Sequence, residues 1–84
     1  MILPYQLIKV LAMQTIYLNQ VKDEDERKVL EFLQQKGRYL YGDIIRELNF
    51  SVTRGQEVIF SLISHNMIKH VDKSSYLELN VTLK

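Results

Sequence analysis

Cysteine is absent from the 84 residues, and proline and glycine are scarce, at one and three. Without thiols there is no disulfide framework and no thiolate zinc site, and nothing calls for an oxidising compartment. No internal repeat and no low-complexity segment is visible, so the length fits one small domain with a thin core. Neither sign of charge dominates: eleven Lys and Arg stand against ten Asp and Glu, for a net charge of +1. Phosphate neutralisation supplies much of the affinity of nucleic-acid modules, so near-neutrality speaks against strong, non-specific DNA binding. It leaves room for a site-specific dimer with a local basic patch.

Long apolar runs are missing too. The opening stretch "MILPYQLIKVLAMQTIYL" is interrupted by Gln6, Lys9 and Gln14. No basic stretch precedes it and no small-residue cleavage site follows, so neither a secretory leader nor a membrane span is expected. The expected location is cytoplasmic. The only two histidines, His65 and His70, share neither a helix face nor a strand face, and no convergent carboxylate pair joins them. There is no glycine-rich phosphate loop and no nucleophile–base pair. The chain is therefore not expected to be an enzyme, and no metal or cofactor is expected.

What is present is periodicity. Pro4 suits a first helical turn, and the chain reads as helix from Tyr5 to about Val21. Leu7, Leu11, Leu18 and Val21 share one face, with Val10, Met13 and Tyr17 on a further stripe. A helix this apolar all round is buried on more than one side. Either it packs across the back of its own domain or it forms a homodimer or partner interface, with Leu7, Leu11, Tyr17 and Leu18 as the interface residues. A strand over "ILPYQLIKVL" is the lesser alternative. Residues 1–22 are thus set apart from a domain over 23–84.

The acids of "KDEDER" are expected to start the next helix, where they complement its positive end, with Asp23 or Asp25 as N-cap. Val29, Leu30, Phe32 and Leu33 form its core stripe, and Gly37 suits a left-handed residue after its end. "RYLY" reads as a short β link. Asp43 or Gly42 starts a short helix that turns Ile44, Ile45 and Leu48 inward and stops at Asn49. Another helix follows at once, capped either by Ser51 or by Thr53 in a capping box with Gln56. It buries Val58, Ile59, Leu62 and Ile63 and stops at Asn66, with Met67 reaching back to Leu62. The period then changes to two: "MIKHV" and "YLELNVTL" read as strands joined by a turn over "DKSS".

From about Asp23 to Leu83 the chain resembles the winged helix-turn-helix regulators of the MarR and ArsR kind. "DIIRELNFS" matches their second helix and turn, and "TRGQEVIFSLISHNMI" matches their recognition helix, with Ile59 and Leu62 at its core positions. The resemblance implies an α+β fold, a three-helix core with a β-hairpin wing, here with an extra N-terminal helix. Four positions depart from the pattern. Gly55 replaces an apolar residue, Glu57 and Phe60 stand on the outer face, and only Lys73 lies near the wing tip.

In this family the recognition-helix start enters the major groove. Carried over, that points to Thr53, Arg54, Gln56 and Glu57 as base-facing residues: Arg reads guanine, Gln adenine, and Glu accepts from cytosine. Ser51 and Thr53 suit a phosphate, and Lys69, Lys73 and Arg38 suit flanking backbone. The expected partner is double-stranded DNA, and the expected function is sequence-specific transcriptional regulation. The alternative is a winged helix used for protein–protein contacts, through the N-terminal helix or Phe60. The five tyrosines are scattered over four elements and make no stacking platform for a single strand.

Overall fold

The computed structural model describes residues 13–84. Among them the chain is α+β, with three α-helices and a three-stranded antiparallel sheet. Helix α1 spans Glu24–Lys36, strand β2 Arg38–Leu40, helix α2 Tyr41–Glu47 and helix α3 Val52–Ser64. Strands β3, Ile68–His70, and β4, Tyr76–Leu79, form a hairpin. The sheet order is β2-β4-β3. A separate two-stranded parallel pair joins β1, Thr15–Ile16, to β5, Thr82–Leu83. No helix of the described residues is long and apolar enough to cross a membrane.

The helix starts follow local chemistry where a capping side chain is available. Asp23 caps α1, its Oδ1 accepting from the amides of Asp25 at 2.8 Å and Glu26 at 3.3 Å. Between the two expected caps of α3, Ser51 is the one used: its Oγ accepts from the Arg54 amide at 3.1 Å. Thr53 thus sits inside the first turn. Helix α2 begins earlier than expected, at Tyr41, with no side-chain cap. Its first amide donates to the Ser75 carbonyl at 3.0 Å, so the neighbouring strand region supplies the acceptor that a cap would have provided.

Two asparagines end helices as their tolerance of positive φ predicts. Asn49 has φ 62° and Asn66 has φ 60°. At each, paired hydrogen bonds close the helix. Asn49 N donates to Arg46 O and Phe50 N to Ile45 O; Asn66 N donates to Ile63 O and Met67 N to Leu62 O. Satisfying the last carbonyls this way lets the chain turn sharply into the next element. Asn66→Gly is expected to be neutral or stabilising, and Asn66→Val to cost about 1–2 kcal/mol in urea unfolding. Equal stability of the two variants would contradict this account. Gly37 differs from expectation. Its φ is positive, at 84°, but its ψ is −74°, outside the left-handed helical well. Strand β2 starts at the next residue, so the backbone must swing from helix to strand in one step.

Each helix buries one stripe. Val29, Leu30 and Leu33 of α1, Ile44 and Ile45 of α2, and Val58, Ile59 and Leu62 of α3 meet Ile68 and Leu77 of the sheet in one core. Phe32, Leu48 and Ile63, expected inside, pack at its margin. Helices α2 and α3 approach closely at Gly55, where an added Cβ would lie 2.6 Å from Ile45 Cγ1.

Two expectations fail. The stretch "YLELNVTL" is not one strand: β4 stops at Leu79, opposite Ile68, where β3 begins. Asn80 is instead held at the end of α3, its amide donating to Met67 O at 2.8 Å and its side chain to Asn66 O at 3.1 Å. The chain then leaves the sheet as β5. The helix expected over 5–21 is also corrected for residues 13–21, which run through β1, a 3-10 turn over Leu18–Gln20, and extended backbone. The C-terminal segment satisfies this backbone: Thr82 N donates to Gln14 O, Lys84 N to Ile16 O and Leu18 N to Lys84 O. Of the expected dimer residues, Leu7 and Leu11 lie outside the described residues, Tyr17 is exposed and Leu18 half-buried.

Candidate nucleic-acid interface

Helix α3 carries three stripes. Gly55, Val58, Ile59 and Leu62 are buried against the core. Thr53, Gln56, Glu57, Phe60 and Ser64, spaced by three and four residues, form an exposed outer stripe. Arg54 and Ser61, seven residues apart, lie on the flank that faces α1 and bind its first turn. Ser61 Oγ donates to Glu26 Oε1 at 2.6 Å. Arg54 Nε donates to Asp25 Oδ2 at 2.9 Å, and its Nη2 donates to Asp23 Oδ2 at 2.8 Å and Oδ1 at 3.0 Å. Glu57 Oε2 stands 3.5 Å from Arg54 Nη1.

The structure thus separates the residues expected to meet bases. Thr53, Gln56 and Glu57 stand on the outer stripe, while the Arg54 guanidinium is turned onto α1. A helical phase places Arg54 at the stripe's edge, but only the docking of α1 brings Asp23 and Asp25 within reach. The contact leaves one trace in the sequence, a cluster of acids with no nearby excess of basic residues.

The Arg54 contact holds the Asp23 carboxyl below the ordinary aspartate range; loss of hydration opposes it, and the Glu26 and Asp25 amides add to the lowering. The same two carboxylates push the guanidinium pKa up. A depressed carboxyl pKa contributes stability that is present above the unfolded value and is lost as pH falls through the folded one. The contribution of this pair should therefore fade below about pH 4. It is modest, because the Asp23 and Arg54 side chains are 36% and 41% exposed and water screens them. Arg54→Ala is expected to lower the neutral-to-alkaline part of a stability–pH curve and so flatten its acid limb, leaving the most acidic part unchanged. An unchanged acid limb would show that the pair does not stabilise the fold.

The sheet bears the remaining expected cations. Arg38 and Lys69 are both cross-strand neighbours of Glu78, on the strands to either side of it. Arg38 Nη2 lies 3.5 Å from Glu78 Oε2, and Lys69 Nζ 3.8 Å from Oε1, so one acid partly offsets both. Lys73 is exposed in the turn between β3 and β4, beside Asp72 with its φ of 55°.

Exposed apolar side chains accompany the outer stripe. Phe60 is 57% exposed and stacks on Tyr41, with ring centroids 6.5 Å apart. Val52, an apolar residue outside every expected core stripe, is 66% exposed. Leu40 and Tyr76, also exposed, oppose each other across β2 and β4. His65 Nδ1 pairs with Ser61 O and His70 Nδ1 with Ser74 O, each within its own element or turn. Among the described residues no group of three or more His, Cys, Asp or Glu side chains is placed to hold a metal ion.

Among the described residues these features define a small α+β domain in which two helices meet at a tight turn and the second presents an exposed, mainly polar face. No family model, no curated protein and no solved structure matches the chain.

Proposed function

We propose that the chain is a winged helix-turn-helix module that binds double-stranded DNA as a homodimer, with the outer stripe of α3 in the major groove. The observation that carries this reading is that Thr53, Gln56 and Glu57 stand exposed at the start of the second helix of a tight helical pair. That is the part of such a motif that reaches base edges. In this reading β3, β4 and their turn are the wing, and Lys73 at its tip meets the phosphate backbone. Gln56 suits adenine, and Glu57 is tolerable near phosphate only where it accepts from a base amino group. A second copy doubles the contacts of a nearly neutral module.

Anisotropy titration of a duplex pool across a salt series tests this. Binding should weaken steeply with salt. Lys73→Ala should weaken all sequences alike and reduce the log–log slope by about 0.9, one phosphate. Gln56→Ala should cost about 1–3 kcal/mol at a selected site and relax preference there. Sedimentation should give two chains at micromolar concentration; a strict monomer removes the dimer from the proposal.

A second reading, a protein-docking winged helix, is favoured by one observation: Phe60 and Val52 are exposed on the same helix whose one cation faces three carboxylates. Aromatic side chains are good anchors for a protein partner. Absence of duplex binding at low salt would transfer the conclusion to it.

A further inference from the structure

The guanidinium best placed in sequence to read a base is already engaged inside the molecule. One edge of it, Nε with Nη2, is filled by Asp25 and Asp23 at 2.8–3.0 Å. That edge is the fork with which arginine binds phosphate oxygens or the acceptor pair of guanine. We propose that Asp23 and Asp25 set the affinity and specificity of DNA binding by occupying this fork, so that Arg54 reaches a duplex only by exchanging carboxylates for a nucleic-acid acceptor. The proposal rests on the DNA-binding reading above.

Three features make the pair an exchangeable stand-in rather than a buried staple. The Arg54 side chain is 41% exposed, and those of Asp23 and Asp25 are 36% and 28% exposed, so water and a ligand reach all three. Asp23 is held by its own helix: its Oδ1 also accepts from the Asp25 and Glu26 amides, and this cap does not depend on Arg54. The surroundings are acidic overall. Asp23, Asp25 and Glu57 gather around Arg54, and among the described residues Lys28, 3.9 Å from Asp25, is the other cation paired with these acids. Three carboxylates against two cations leave one net negative charge.

The exchange carries a consequence for selectivity. When Arg54 leaves, two carboxylates lose their partner close to a polyanion. A lone phosphate returns to Arg54 no more than the carboxylates gave. An acceptor that engages both N–H groups of the fork and lies away from the phosphate line, as guanine O6 and N7 do, compensates better. Indifferent sequence is therefore disfavoured, and the acids act as a filter.

The test uses the full chain carrying Asp23→Asn and Asp25→Asn, with a mixed-sequence duplex as probe. Asparagine retains the cap acceptor, so α1 keeps its start. Affinity at low salt should rise about tenfold, and the log–log salt slope should steepen by about 0.9 as Arg54 gains a phosphate. In an Arg54→Ala background the same substitutions should give a much smaller gain. An equal gain with and without Arg54 would mean that the acids act only as repulsive charge and would overturn the proposal, as would no gain at all. Those results still show duplex binding. If no variant and no wild-type protein binds duplex at low salt, the DNA reading falls and the proposal with it. Should the double variant melt below the assay temperature, Asp25→Asn alone leaves the Asp23 cap intact, and the same comparison with Arg54→Ala decides.

Discussion

Gly55→Leu should lower the stability of the domain by about 3 kcal/mol, the upper range for forcing extra volume into a close-packed contact. The cause is local. Any Cβ at Gly55 would stand 2.6 Å from Ile45 Cγ1, 2.9 Å from Cδ1 and 3.0 Å from Cγ2, closer than carbon atoms approach without movement. Ile45 is β-branched and stiff at χ1, and at 7% exposure it has little solvent to move into. Helix α3 must therefore lift from α2. Gly55→Ala should cost less, since alanine restores up to about 1 kcal/mol of helix propensity against the same clash. Small domains are stable by only about 3–5 kcal/mol from a single core, so the leucine variant should be partly unfolded at room temperature. Urea unfolding at constant m-value measures the loss. A leucine variant as stable as the parent would show that this glycine does not set the spacing of the two helices. The functional consequence follows from the same geometry: the angle at which α3 presents Thr53, Gln56 and Glu57 is set by how closely it lies on α2.

Leu62→Ala should be comparably damaging, at about 2–5 kcal/mol, while Phe60→Ala should change stability by less than about 1 kcal/mol. The two positions lie two residues apart on one helix. Leu62 is fully buried in the core, and Phe60 is 57% exposed with Tyr41 stacked on it. Deleting the leucine removes burial and leaves a cavity in a core too thin to collapse around it. Deleting the phenylalanine exposes little that was not already wet. A thermal melt of each variant makes the comparison. Similar losses at both positions would mean that Phe60 is covered, and the outer stripe of α3 would no longer qualify as an uncovered face.

Much of this domain is legible in its residues because the signals are local. The acids after Lys22 complement the positive start of α1, and Asp23 caps it with its own side chain. Asn49 and Asn66 take positive φ because their short amide side chains tolerate it, and the helix ends are where the chain needs it. The core stripes repeat every three to four residues in the helices, and Leu77, Val81 and Leu83 stay buried on alternate positions even where the strand breaks. The cap of α3 was legible only as a choice between Ser51 and Thr53, since both carry a suitable hydroxyl at a suitable spacing.

By itself, then, the sequence determined the three helices of the described residues, the start of α1, the ends of α2 and α3 at Asn49 and Asn66, the main buried stripe of each helix and the hairpin turn, all of which depend on neighbours within a few positions. The tertiary structure alone decided three other things. Thr15 and Ile16 are strand rather than helix because Thr82 and Leu83, more than sixty residues on, supply the hydrogen-bond partners. The strand breaks at Asn80 because its partner β3 has run out and the end of α3 offers two carbonyls instead. Arg54 turns from the outer stripe because docking of α1 sets two carboxylates beside it, and a charged fork goes to fixed opposite charges within reach before it goes to water. In each case the deciding group is distant in sequence and adjacent in space, and no periodicity along the chain records that adjacency.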